Sequence, residues 1–356
     1  MKMTSLKESA MGKLRLAIAG AGLVGRAHWK RMLASSACEL AAFADPYPST
    51  AALAAEAGVP LYPALEAMLA AERLDGVVLA TPNGLHVSGA LACLAAGVPA
   101  LVEKPVGDSL AEAAQLAEAA EAAGVPMLVG HHRRHSAILE AACNTIASGR
   151  LGKLVAVTAS ATFHKPDDYF DADWRRQKGG GPILINLVHD IDNLRALVGE
   201  IVEVQAFGSN AVRGFEVEDT VAINLRFANG ALGTFMLSDA AASPRSWEQS
   251  SGENATFDHH PDQDCYVIAG TRGSLQMPTM RLYEYLGPAS WQNPLVESRV
   301  EVRETDPLAR QLDHFCAVVR REVPPRVTVR DALRTLAVTL AVDEAARTGL
   351  RVSLPS

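Results

Sequence analysis

The sequence predicts an α/β protein in two parts: a doubly wound parallel sheet near the N-terminus, then an α+β domain with a large, mostly antiparallel sheet. Three observations carry this. A chain of 356 residues exceeds what one hydrophobic core usually supports, so two domains are expected. From Leu14 to Gly130, short apolar runs alternate with alanine-rich helical stretches, the pattern of a parallel sheet covered on both faces. After Gly130 the rhythm changes to one helix followed by long strands of alternating polarity. The expected bounds are a tail over 1–12, a first domain over 13–130 and a second over 131–356.

In the first part the strands are "LRLAIAG", "LAAFAD", "GVVLATP", "PALVEKP" and "VPMLVG". Gly58, Gly97 and Gly124 stand where left-handed helix ends are expected, and Ser109 with Glu112 has the form of a capping box. In the second part a helix over about Ile138 to Ser148 precedes the strand "KLVAVTASATF". A polar loop then leads to a second helix, where Leu184, Val188, Ile191, Leu194 and Val198 recur at the spacing of one buried face. That spacing sets Asn186, His189 and Asn193 together on the opposite face. "VAINLRFANGALGTFMLS" reads as a hairpin, with Asn229-Gly230 placed for a type I′ turn. Thr328 and Asp331 cap a last helix running to about Thr348, and no internal repeat occurs.

Composition narrows the function. Hydrophobic residues at 49% and charged residues at 21% describe an ordinary globular protein. A net charge of −7 gives no broad attraction to nucleic acid or anionic lipid, so neither is expected as a partner. The five cysteines are scattered and form no C-x-x-C pair, which argues against a disulfide framework or zinc knuckle and fits reduced thiols in a cytoplasm. The opening "MKMTSLKESAMG" lacks a signal-peptide core, and no membrane-spanning run follows. His259–Cys265 and His131–Ser136 hold metal-ligand residue types at no standard spacing, so no metal is expected. Arg320 and Arg321 read as a solvated helix end.

"AIAGAGLVGRAH" carries the chemistry. Gly20, Gly22 and Gly25 form a G-x-G-x-x-G after a strand and at the start of a helix, with Leu23 and Val24 inside the loop. The first glycine permits a tight turn, the second lets a pyrophosphate approach the backbone, and the third lets helix and strand pack closely. Asp45 ends the next long strand, where an acid hydrogen-bonds the adenosine ribose and repels a 2′-phosphate, favouring NAD over NADP. Two later strand ends, with Thr81, Pro82, Asn83 and His86 and then Glu103, Lys104 and Pro105, should border the nicotinamide, since ligands bind outside the carboxyl ends of such strands.

With "GAGLVG", "ATPNGLH", "EKP", "VGHHRR" and the "GGG…HDID" segment in this order and spacing, the chain resembles the Gfo/Idh/MocA oxidoreductases, the family of glucose–fructose oxidoreductase and inositol dehydrogenase. The resemblance implies a Rossmann domain followed by an open-faced sheet domain, with assembly into homodimers or homotetramers through that sheet. It also implies that Lys104 and His189 line the active site, with Asn83 and His86 near the nicotinamide. One departure stands out. Many members carry an aspartate four residues before the histidine, where this chain has Ile185; Asn186 comes one place later and cannot take up a proton.

Oxidising a secondary alcohol sends a hydride to the nicotinamide and a hydroxyl proton to a base. His189 is the leading base and Lys104 its proton partner and electrostatic stabiliser, with exchange of roles left open. Asp192 either orients the imidazole or belongs to a structural network. The expected substrate is a sugar- or cyclitol-like ring, with a carboxylated cyclohexadiene-diol as the alternative. A regulatory protein that binds NAD without turnover is the reading outside enzymology. Besides Lys104, Asn186 and His189, the substrate residues are expected in "FHKPDDYFDADWRRQKGGG": Tyr169 and Trp174 as an aromatic wall, Lys165 and Arg175 as cations for a carboxylate. Alternatively these cations balance Asp167, Asp168, Asp171 and Asp173 on a solvated loop.

Overall fold

The computed structural model describes residues 12–355, so the tail expected over 1–12 lies outside it except for Gly12. Strand and helix alternate from the start: β1 (Leu14–Ala19), α1 (Leu23–Ala34), β2 (Cys38–Ala44), α2 (Thr50–Ala57), β3 (Leu61–Tyr62), α3 (Leu65–Ala71), β4 (Gly76–Leu79), α4 (His86–Ala95), β5 (Ala100–Val102), α5 (Leu110–Ala123) and β6 (Met127–Val129). All six strands are parallel, in the order β3-β2-β1-β4-β5-β6. Strand order reverses between β1 and β4, so loops leaving their carboxyl ends diverge to opposite sides and open a crevice. The two-residue β3 is too short to leave a pattern in sequence. Gly58, Gly97 and Gly124 take φ of 67°, 70° and 62°, as expected of helix ends, and Ser109 Oγ accepts the Glu112 amide at 3.4 Å.

The second unit begins at Arg133. It contains α6 (Ala137–Ala147), β7 (Leu154–Thr162), α7 (Val188–Val198), β8 (Ile201–Ser209), β9 (Thr220–Phe227), β10 (Leu232–Ser238), α8 (Trp247–Ser250), β11 (Tyr266–Gly270), β12 (Gly273–Met277), β13 (Arg281–Glu284) and β14 (Val296–Arg299). The chain continues with α9 (Pro307–Val319), α10 (Val329–Thr348) and β15 (Val352–Ser353), and Thr335 onward belongs to the second unit again. The nine-stranded sheet runs β14-β13-β12-β11-β7-β10-β9-β8-β15, antiparallel except between β7 and β10. Its inward residues, among them Val157, Ile223, Phe235 and Ile268, share one core with Leu139, Ile191, Leu194 and Val342 of the helices. On the other face Phe207, Leu232 and Met236 are exposed.

Three expectations need correction. The second domain is not continuous over 131–356: Leu308–Arg334 belongs to the first unit, where Leu312 and Phe315 of α9 join the core with Leu16, Ile18 and Trp29. Within this segment Arg320 is not a solvated end, since its Nη2 donates to the Ala37 carbonyl at 3.1 Å. The Asn229-Gly230 turn is not type I′, because only Gly230 of the two has positive φ, at 89°. Gly230 N donates to Phe227 O and Phe227 N to Ala231 O, the bonding of a type I turn closed by a left-handed glycine. Asn229 stays out of the left-handed region and instead donates Nδ2 to the Val198 carbonyl at 2.7 Å.

The third correction concerns the helix with Asn186, His189 and Asn193. Residues Ile183–Leu187 form a π-turn ahead of α7, which breaks the continuous helical register. All of α7 except Ala196 is buried, so its polar side does not face solvent. Its polar residues are paired inside the unit: Asp190 with Arg133, Asp192 with Arg134, and Arg195 with Glu200 and Thr335.

Candidate functional site

The first unit supplies a cradle for a dinucleotide. Gly20 takes φ of 89°, and a Cβ there would lie 2.4 Å from the Ala80 carbonyl oxygen. At Gly25 a Cβ would come within 2.0 Å of the Gly20 oxygen, so helix and strand meet at a distance only glycine allows. Gly22 differs: a Cβ there would meet nothing within 4 Å, which leaves open space against bare backbone. No side chain caps the N-terminus of α1 and no acid stands in its first turn, so its amides remain available to an anion. Leu23 and Val24 are exposed in the loop. These residues fit a pyrophosphate-bearing cofactor.

Asp45 is buried at the end of β2, and its carboxylate is already employed. Oδ2 accepts the Ala21 amide at 2.7 Å and Oδ1 the Tyr47 amide at 2.8 Å. Each oxygen keeps a second lone pair, so the acid both fixes the glycine loop and retains acceptor capacity. Arg26, which sequence reasoning did not single out, donates Nε to the Ala21 carbonyl at 3.0 Å and braces the same loop.

The loops after β4 and β5 are tied together. Pro82 and Asn83 are exposed, and the Thr81 hydroxyl is buried without a hydrogen-bond partner. His86, expected near the nicotinamide, is 1% exposed. Its Nδ1 lies 2.7 Å from the Pro105 carbonyl oxygen and its Nε2 2.9 Å from that of Thr81. Both ring nitrogens lie within hydrogen-bonding distance of backbone carbonyls, so His86 staples the two loops together. Glu103 is likewise turned inward, with Oε1 2.8 Å from His28 Nε2 and Oε2 accepting the Lys104 amide at 3.3 Å. Burial pushes its carboxyl up, but the hydrogen bond and charge of His28, helped by Lys104 and His132, hold it at about 2. Lys104 itself is half-buried.

In the second unit His189 is buried on α7, with Asn186 half-buried on the preceding π-turn and its Oδ1 lacking a hydrogen-bond partner. A network sequence reasoning missed anchors this helix. Arg133 Nη1 donates to Asp190 Oδ1 at 3.0 Å, Arg133 Nη2 bonds Glu248, and the Tyr266 hydroxyl bonds Asp190. Burial raises the Asp190 carboxyl to about 6 despite Arg133. Asp192 receives Arg134 Nε at 2.7 Å and Nη2 at 3.0 Å, with Thr335 Oγ1 at 3.2 Å. Ahead of the π-turn, Glu218 Oε1 accepts the Ile183 amide at 2.9 Å and occupies the space a Cβ at Gly181 would need.

The loop cations are engaged, though not with the acids expected. Lys165 is buried, its Nζ 3.1 Å from Asp239 just after β10 and 4.6 Å from the Tyr169 ring centroid. Burial lowers the proton affinity of its amine, against the pull of Asp239. Arg175 stacks 4.0 Å from the Tyr169 centroid and donates Nη1 to the Tyr169 carbonyl. Trp174 is 54% exposed, so it is the aromatic surface left open on this loop.

A family model described as "Oxidoreductase family, NAD-binding Rossmann fold" matches residues 14–131, and one described as "GFO/IDH/MocA C-terminal domain" matches residues 139–276. The chain belongs to the Gfo/Idh/MocA oxidoreductase family. It is 30% identical over 281 residues to 1,5-anhydro-D-fructose reductase of Ensifer adhaerens, a match spanning 78% of each chain. It is 27% identical to scyllo-inositol 2-dehydrogenase (NAD(+)) of Bacillus subtilis over 96% of each chain. Among solved structures, the WlbA dehydrogenase from Bordetella pertussis in complex with NADH and UDP-GlcNAcA aligns with TM-score 0.77 and 26% identity, covering 97% of this chain and 99% of that one. As a Gfo/Idh/MocA protein it is an NAD-binding dehydrogenase of CH–OH groups. No helix among the described residues is long and apolar enough to cross a membrane.

Proposed function

We propose that this Gfo/Idh/MocA enzyme moves a hydride between NAD and a secondary alcohol or ketone on a neutral, sugar- or cyclitol-like ring. The observation that carries the choice of a neutral ring is the engagement of the loop cations: Lys165 is committed to Asp239, and Arg175 to the face and carbonyl of Tyr169. A carboxylated substrate would have to share Lys165 with Asp239 and Arg175 with Tyr169, so neither cation stands ready for it alone. A polyol needs only hydrogen bonds and an apolar face, which Asn186 and the exposed Trp174 offer. The names of the anhydrofructose and inositol relatives are consistent with such rings.

Bound NAD supplies the hydride acceptor. Lys104 then carries the positive charge that steadies the developing alkoxide, and the His189 imidazole takes the hydroxyl proton. Because an ammonium and an imidazole can titrate as a pair, the proton can pass through either. Asn186 donates to or accepts from the substrate without taking a proton. Assembly into a dimer or tetramer uses the open sheet face, where Phe207 and Met236 flank Ala222 in adjacent strands and form an apolar row.

The test is NADH formation by the purified protein with a panel of neutral polyols, cyclitols and carboxylated ring diols. We expect turnover with a neutral ring, and a fall in kcat of about a hundredfold or more for Lys104→Ala and for His189→Ala with NAD affinity largely kept. NAD binding without turnover of any alcohol would favour a regulatory protein. A preference for the carboxylated diols would overturn the substrate class, and a near wild-type rate in either variant would remove that residue's role.

A further inference from the structure

Lys104 sits on a turn held from both sides by buried histidines that nothing in its local sequence announces. His28 lies on α1 and is 0% exposed; Glu103 is 6% exposed. The carboxylate of Glu103 bridges the two elements, meeting His28 Nε2 at 2.8 Å through one oxygen and the Lys104 amide at 3.3 Å through the other. Room for it exists because residue 130 is glycine: a Cβ there would stand 2.9 Å from Glu103 Cδ. On the other side His86 holds the Pro105 carbonyl at 2.7 Å.

A buried acid is a costly way to fill a core, since an apolar side chain of similar volume needs no desolvation. Its position gives it a use. The charged groups that face Glu103 are His28 from α1, Lys104 from its own turn and His132 after β6. We infer that His28 is a positioning residue for Lys104: by donating to Glu103 it keeps that carboxylate charged and fixed under the turn, and the carboxylate in turn keeps the Lys104 amine placed and protonated. The helix that opens the dinucleotide cradle is thereby linked to the lysine beside it by one side-chain bridge. This rests on Lys104 acting in the proposed reaction, but the linkage itself can be read without any substrate.

The experiment is competitive labelling of Lys104 with acetic anhydride across pH, quantified by mass spectrometry, on the full-length protein. Removing the donor with His28→Leu takes away the bond that fixes the Glu103 carboxylate under the turn, so the ammonium of Lys104 loses its placed anion. The pH of half-labelling is expected to fall by about one unit, a tenfold gain in reactivity at fixed pH. Glu103→Gln removes the same charge while keeping the side-chain volume and an acceptor for His28, so it should shift labelling equally and serves if His28→Leu fails to fold. His28→Gln, which restores a donor, should return the profile towards wild type. Labelling profiles unchanged in both His28→Leu and Glu103→Gln would overturn the inference, even with a lowered Tm, because a merely structural pair would not move them. A shifted profile in a protein that oxidises no alcohol would uphold the linkage and refute the proposed reaction instead.

Discussion

Replacing Arg133 by methionine keeps most of the side-chain length and removes a cation bonded to both Asp190 and Glu248. Asp190 is 1% exposed, so water cannot take over the guanidinium's role. Two unit charges about 4 Å apart attract by about 4 kcal/mol at an effective dielectric of about 20, and deleting one member of a buried pair costs about 3–5 kcal/mol. The guanidinium also lies 5.5 Å from the Trp247 ring centroid, a contact methionine replaces only in part. We therefore expect Arg133→Met to destabilise α7 by about 3–5 kcal/mol near pH 8, with the double variant Arg133→Met/Asp190→Asn recovering much of the loss because the more deeply buried of the two carboxylates is then neutral.

The pH dependence has a fixed sign. Burial already raises Asp190 from 3.8 to about 6, so the folded state holds a proton that the unfolded state releases, and this group's contribution to stability falls as pH rises through that window. Without Arg133 the carboxyl rises further. The deficit of the single variant should then be larger at pH 8 than at pH 5.5. Hydrogen exchange of α7 peptides at the two pH values, corrected for intrinsic exchange rates, reads the local free energy directly. A deficit below about 1 kcal/mol at pH 8, or one equal at both pH values, would refute the reasoning, since a buried pair must cost more than an exposed one.

Two other perturbations follow from the site and the sheet. Asp45→Ser removes a charged acceptor for the Ala21 and Tyr47 amides, so NAD affinity measured by calorimetry should fall about tenfold and the gap between NAD and NADP should narrow; an unchanged preference would separate Asp45 from cofactor choice. Phe207→Lys combined with Met236→Lys places two charges on the open sheet face, and sedimentation should show a smaller particle than wild type. Equal masses at micromolar concentration would move the assembly surface elsewhere.

What the sequence disclosed and what it hid divide by distance along the chain. The glycine loop, the parallel strands and the helix ends were legible because each depends on neighbours a few residues away, where a missing Cβ or a repeating apolar spacing has a local consequence. Lys165 shows the failure of the same reasoning. Four aspartates follow it within the loop, yet its partner is Asp239 at the end of a distant strand, because burial selects a partner by proximity in the fold and the loop acids remain in water. The polar residues of α7 show a related gap: a 3.6-residue pattern separates apolar from polar sides but does not say whether the polar side meets solvent or a buried arginine. His28 was legible in principle. With Gly25, Trp29 and Met32 it occupies the buried stripe of α1, where a polar residue has to find a partner or leave a costly unpaired group. A histidine on the inward face of the helix after a glycine loop therefore directs attention to the strand ends of the same sheet, and here the end of β5 carries Glu103 and Lys104.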